Sequence, residues 1–174
     1  MAYPDLASAM RMLSESGADV DQPRSGFRTL ARIFADYPGY LLFSVSSLEN
    51  KTWLRRIFST DPDRHPVNAT KDMEGTRYCS TVVAGRSHLL CRSDDDLRAS
   101  FQDHAAIIAS GVGSSVNLCL RFDGRVVGSA NFLGVPAAYG PATVDDLAVF
   151  AFPLALLVVH AARIDETNDR NRVT

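Results

Sequence analysis

The stretch SSVNLCLRFDGRVVGSANFLG, residues 114–134, decides the fold. Its two halves, Val116 to Phe122 and Arg125 to Leu133, are rich in β-formers and meet at Asp123-Gly124. Asp-Gly suits a two-residue type I′ turn, which needs positive φ at both central positions, so the segment reads as a β-hairpin. A hairpin makes its strands antiparallel.

An earlier pair repeats the pattern. YLLFSVSSL, Tyr40 to Leu48, and TWLRRIFS, Thr52 to Ser59, flank the turn Glu49-Asn50-Lys51. Strand alternation puts Trp53, Arg55 and Ile57 on one face and Leu54, Arg56 and Phe58 on the other. A shorter strand is expected over Ser87 to Arg92, and the stretch STDPDRHPVNATKDMEG between them reads as a long loop.

Helices frame these strands. Leu6, Met10 and Leu13 predict one over Pro4 to Ser16, and Phe27, Leu30, Ala31 and Phe34 another over Ser25 to Asp36. Thr76 to Ala84 forms a short helix closed by Gly85. Ser93 with Asp96 makes a capping-box pattern for the next, and Asp103 caps one that Gly111 stops. Thr143 with Asp146 opens a long helix to about Asp165, which Pro153 should kink. The polar tail, residues 168–174, is expected to fray. The fold class is α/β (α+β): a twisted antiparallel sheet of five or six strands, terminal helices on one face, short helices and loops over the other. Residues 1–174 read as a single domain, with N-terminal helices to 37, sheet and insert over 40–134 and the C-terminal helix over 143–167.

Composition narrows the function classes. A net charge of −2, with scattered arginines and lysines, gives no footprint for nucleic acid. The most apolar run, Leu147 to Val159, falls short of the roughly 20 residues that span a bilayer. No basic n-region precedes an apolar stretch at the start, and Cys79, Cys91 and Cys119 are odd in number. The expectation is a cytoplasmic protein with reduced thiols, no membrane partner and no nucleic-acid partner.

From Tyr40 to Val159, about two-thirds of the chain, the pattern resembles a GAF domain of the stand-alone bacterial type. The residues that carry the resemblance are VVAGR before a strand, the acidic turn after it, and the SSVNLCLRFDGRVVGSANFLG hairpin, whose return strand opens hydrophobic–Gly. Proline often occupies the position of Cys119 in that family. The resemblance implies a small-molecule pocket under the middle loops and terminal helices that often build a dimer bundle. It also implies a sensory role, here without an output domain.

The residues bear on several chemistries. One branch of the resembled family reduces free methionine sulfoxide with cysteines near the pocket. Cys79 and Cys91 resemble that arrangement broadly, but HAAIIASGVG, where that branch holds its nucleophile, has no cysteine. The histidines, His65, His88, His104 and His160, lack the i, i+4 spacing of a helical metal site and fit no zinc pattern, so no metal is expected. Cys79 and Cys91 precede Ser80 and Arg92, not the histidine of a bilin-attachment pair. Asn50-Lys51 lacks the phenylalanine and Asp-Glu that complete a cyclic-nucleotide signature. Asp94-Asp95-Asp96 suits the positive end of a helix dipole.

Ligand walls are expected from Phe43, Val45, Tyr78, Phe101, His104 and Ile107, and polar contacts from Arg92, Asn117, Ser129 and Asn131. No cofactor is implied, and the ligand is unknown. Apolar residues all round Leu147 to Val159 exceed one stripe, which predicts a homodimer through the terminal helices. Three functions remain open: a small-molecule-binding regulatory module without enzymatic activity, a structural or protein-interaction module with no ligand, and a thiol-dependent methionine sulfoxide reductase.

Overall fold

A computed structural model describes residues 6–172. The expected start of the first helix at Pro4, and Val173 and Thr174 of the tail, lie outside the described residues.

The elements in order are α1 (Leu6–Ser16), α2 (Arg24–Asp36), β1 (Leu42–Leu48), β2 (Trp53–Ser59), β3 (Thr70–Asp72), a π-helical turn (Cys79–Ala84), β4 (Leu89–Cys91), α3 (Asp94–Ser100), α4 (His104–Ala109), β5 (Ser114–Phe122), β6 (Arg125–Gly134), α5 (Pro141–Ala148) and α6 (Ala151–Arg172). Six antiparallel strands run in the order β3-β2-β1-β6-β5-β4. The two hairpins supply the four central strands. Asp123 and Gly124 both take positive φ, 49° and 69°, as the type I′ turn requires.

Side-chain parity sorts the sheet into two faces. Phe43, Val45, Val116, Leu118, Leu120, Ala130 and Phe132 join residues of α1, α2, α5 and α6 in one core. Phe34 is its hub, meeting Phe43, Phe132 and Phe150 edge-on with ring centroids 5.1, 5.0 and 5.1 Å away. Edge-to-face rings add about 0.5–1.5 kcal/mol per pair beyond their burial. The opposite parity, Leu42, Cys91, Cys119 and Leu133, packs under Met73, Tyr78, Val82, Leu97, Phe101 and Ile107 of the middle insert.

Between β1 and β6 the backbones come very close. A Cβ at Gly128 would sit 2.1 Å from the Ser46 carbonyl oxygen, so only glycine fits there. This accounts physically for the hydrophobic–Gly start of the return strand.

Several local expectations are corrected. The long loop holds a third edge strand, β3, paired with β2. Phe58 does not share a face with Leu54 and Arg56. A bulge between Val45 and Ser46 leaves Ile57 outside the pairing, and Phe58 packs on Phe27 and Phe43 at 5.4 and 5.8 Å. Asp103 gives no side-chain cap to α4, because its carboxylate pairs with Lys71. Thr143 and Asp146 are not the cap and third residue of a helix. Gly140 is the N-cap of α5, Thr143 Oγ1 accepts from its N–H at 3.2 Å, and Asp146 accepts from Tyr37 OH at 2.5 Å.

Pro153 does more than kink. The helix breaks at Val149 and Phe150, four and three residues before it, and α5 and α6 meet at 56°. The missing N–H and the ring clash with the preceding turn account for that position. Beyond the break, α6 is helical well past the expected end at Asp165. Arg55 binds Asp165 at 2.7 Å, and Glu166 pairs with Arg170 one turn on. Among the described residues no single helix is long and apolar enough to cross a membrane. Leu147, Phe150, Leu154 and Ala155 of α5–α6 are fully buried on the sheet.

Candidate functional site

The sheet face under the insert is unusually polar for a buried surface. Ser44 of β1, Asn131 of β6 and Asn117 of β5 lie in one row across three strands by register. Ser46 and Ser129 form the next row. Asn117 Nδ2 donates to Asn131 Oδ1 at 3.0 Å, and Ser115 Oγ donates to Asn117 Oδ1 at 3.2 Å. Tyr78 OH approaches Asn131 Oδ1 at 3.5 Å. Buried polar groups are costly unless bonded, so this chain of donors and acceptors is what lets the row sit under the insert.

A cavity of about 90 Å³ lies between this floor and the insert. Leu42, Leu54, Met73, Tyr78, Phe101, Ile107 and Leu133 supply apolar walls, and Ser44, Ser46, Asn117 and Asn131 polar ones. Arg56, His65, Lys71 and Asp103 line the β2–β3 side. Lys71 pairs with Asp103 and its ammonium lies 5.6 Å from the centre of the Phe101 ring. Arg56 donates through Nη1 to the Pro66 carbonyl at 3.2 Å. Its Nε is buried with no hydrogen-bond partner among the described residues. Burial pulls the Arg56 guanidinium below its ordinary range, opposed by the Asp103 charge. Burial, then the Arg56 charge, lowers the His65 imidazole, which favours its neutral form.

Five of the expected site residues, Tyr78, Phe101, Ile107, Asn117 and Asn131, meet around this cavity. Three do not. Phe43, with Val45, faces the helical layer, because β1 turns its larger apolar residues to the larger core and Leu42, Ser44 and Ser46 to the insert. Arg92 is exposed outside the cavity, where its backbone N–H donates to Asp96 at 2.9 Å. His104 stands beside the cavity wall with Nδ1 donating to the Phe101 carbonyl at 2.9 Å. Sequence reasoning missed Ser44, Ser46, Arg56, His65, Lys71 and Asp103. Alternation with Leu42 and Leu54 pointed to Ser44 and Arg56; nothing local pointed to His65 or Lys71.

The thiols are poorly set for nucleophilic chemistry. Cys91 is fully buried with Sγ 3.3 Å from Ser100 Oγ, Cys119 is buried, and Cys79 is half-buried on the π-turn. Burial pushes all three thiols up, and the Asp72 and Glu74 charges push Cys79 further. Catalytic cysteines need the opposite shift. Among the described residues no three His, Cys, Asp or Glu side chains gather where a metal ion could sit.

No protein-family profile matches the sequence, and no curated protein matches it. Solved structures do match. The GAF domain of a phosphoenolpyruvate-protein phosphotransferase from Acinetobacter superposes with a TM-score of 0.73 at 12% identity, covering 95% of this chain and 99% of that one. The chain has the GAF fold. The corresponding GAF domain from Coxiella burnetii gives a TM-score of 0.74 at 8% identity, over 92% and 96%. A type II free methionine-R-sulfoxide reductase from Thermoplasma acidophilum gives 0.59 at 14% identity, over 78% and 91%. At these identities the likeness extends to the fold, and the GAF scaffold alone does not select a function.

Proposed function

We propose that this GAF-fold chain is a cytoplasmic regulatory module that binds a small molecule in the cavity between sheet and insert, and that it is not an enzyme. One observation carries the reading: a row of amides and hydroxyls, Ser44, Asn131 and Asn117, is held at the floor of a cavity with apolar walls on the insert side and Arg56, His65, Lys71 and Asp103 on the β2–β3 side. Few aimed polar groups among apolar walls is the usual make-up of a ligand site. A domain that only needed a core would place aliphatic side chains there. Several solved GAF structures come from sensory proteins, such as a two-component sensor histidine kinase from Bacillus halodurans, which supports a regulatory role. The raised thiols support the non-catalytic part.

The test is a thermal-shift panel of small metabolites with a cavity-filling control, Ser44→Leu. A ligand at a hundredfold excess over its Kd should raise Tm by about 5–10 °C for a protein of this size. The shift should vanish in the control. No stabilisation by any compound, from a well-folded sample, turns the reading to a module without ligand. Reduction of free methionine sulfoxide by the purified protein with dithiothreitol would overturn the non-catalytic part.

A homodimer through the terminal helices belongs to the same reading. Val149, Phe152 and Leu156 stay exposed along the outer side of α5–α6, Phe152 to 61%. Phe152 also stacks on Phe122 at 6.5 Å, which widens the apolar patch. The same stripe on a second copy is self-complementary, as a two-fold interface requires. Light scattering should give a dimer for the native chain and a monomer for Phe152→Asp; a native monomer at tens of micromolar would refute the dimer.

A further inference from the structure

We infer that the cavity selects a short monocarboxylate carrying a second oxygen, such as a 2-hydroxy or 2-oxo acid, an inference that rests on the ligand-binding reading above. Charge, hydrogen-bond direction and size point the same way.

Arg56 and Lys71 bring two cations to the β2–β3 side, and Asp103 brings one anion, which Lys71 already engages. Arg56 has no carboxylate partner among the described residues; its hydrogen bond goes to a neutral carbonyl. Burial and the Arg56 charge lower the His65 imidazole beside it, against the Asp61 and Asp103 charges. The local surplus is therefore one positive charge, in a half-buried setting where charge is worth more than in water. An isolated buried cation is costly, and a ligand carboxylate is the group that relieves that cost most directly.

Unused donors line the cavity, beside hydroxyls that can donate or accept. Asn131 Oδ1 already receives Asn117 Nδ2, with Tyr78 OH near it. The Asn131 amide nitrogen adds two N–H donors to a residue that lines the cavity. Arg56 Nε is a further donor without an acceptor among the described residues. Ser44 lines the cavity with a hydroxyl that can donate or accept. Donors in surplus call for a ligand rich in acceptors. A carboxylate at Arg56 and a hydroxyl or keto oxygen at the Ser44–Asn131 row would use them all.

Size sets the remaining limit. A cavity of about 150 Å³ accepts benzene. At about 90 Å³ the space beside the floor favours a short ligand.

Three probes decide the matter: lactate, pyruvate and neutral lactamide, each titrated by calorimetry at low ionic strength against the native chain, Arg56→Gln and Arg56→Lys. Lactate and pyruvate should bind the native chain. Lactamide should bind at least tenfold more weakly, and Arg56→Gln should weaken the acids by about tenfold or more, the loss expected for one charged hydrogen bond. Arg56→Lys keeps the charge and should retain part of the affinity, which separates a charge effect from misfolding. If lactamide binds as well as lactate, or Arg56→Gln leaves lactate binding unchanged, the carboxylate class is wrong while the cavity still binds ligand. If none of the three binds but the wider panel yields a neutral ligand lost in Ser44→Leu, the class again fails and the ligand-binding reading survives. Silence from both the probes and the panel removes both.

Discussion

Asn117 on β5 and Asn131 on β6 face each other across the sheet, and the Asn117 amide donates to the Asn131 carbonyl oxygen over 3.0 Å. Both are buried or nearly so under the insert, with Ser115 and Tyr78 at the two ends of the chain. Removing either amide strands the other. Asn117→Ala and Asn131→Ala should each cost about 1–3 kcal/mol in denaturant unfolding. The double variant should cost less than the sum, because the second truncation removes a group already orphaned. Strict additivity would mean that the two side chains do not form one unit.

Gly128 is the tightest point of the sheet, with the Ser46 carbonyl oxygen 2.1 Å from where a Cβ would lie. The obstacle is backbone, so it cannot rotate away. Gly128→Ala should lower stability by about 2–3 kcal/mol or more, and should part β1 from β6. Amide hydrogen exchange at Ser46 and Ser47 reads that parting directly; unchanged protection there would contradict the close approach.

His88 offers a pH test. Its Nδ1 accepts from the Cys119 backbone N–H at 3.1 Å, which requires the neutral ring. Burial, then the Arg121 charge, lowers its basicity, against a smaller opposing effect from Asp145. A histidine whose folded pKa lies below the unfolded value of about 6.5 favours unfolding once protons bind. Its contribution is present above pH 6.5 and is lost as pH falls below that. His65 is lowered in the same direction and adds to the slope. The urea midpoint should drop on acidification below about pH 6.5, and less steeply in His88→Gln. An imidazole titrating above 6.5 by NMR would show the sign to be wrong.

The thiols should behave as packing groups. Cys91 and Cys119 are buried, and Cys79 alone is half-exposed. With every thiol pushed above its ordinary value, iodoacetamide at pH 7 should label the folded protein slowly and at Cys79 first. All three should label on unfolding. Rapid labelling of one cysteine at neutral pH would signal an activated thiolate and revive the reductase reading.

Much of the scaffold was legible because its signals are local. Asp123-Gly124 makes a turn by its own chemistry, and Phe27, Leu30, Ala31 and Phe34 declare a helix face by spacing. Asn117 and Asn131 stood out as amides within strand runs. What failed depended on partners distant in the chain. Alternation tells which residues share a face, not which layer that face meets, and Phe43 and Val45 serve the helical core and not the cavity. The bulge opposite Ile57 arises from β1–β2 pairing and reverses Phe58. Arg56, Lys71 and Asp103 come together only once β3 closes on β2 and α4 folds over it. Pro153 signalled a disruption, but how far the bend goes depends on Leu147, Phe150 and Leu154 seeking the same core from two helices.

The most direct test of the cavity as a ligand site is methyl NMR of the native chain, titrated with the panel compound that stabilises it most. Met73 and Ile107 each line the cavity from the insert side. Their methyl signals should move together, saturate at one Kd and stay still in Ser44→Leu. Saturable shifts confined to the α5–α6 surface, with Met73 and Ile107 unmoved, would place binding elsewhere and contradict the account.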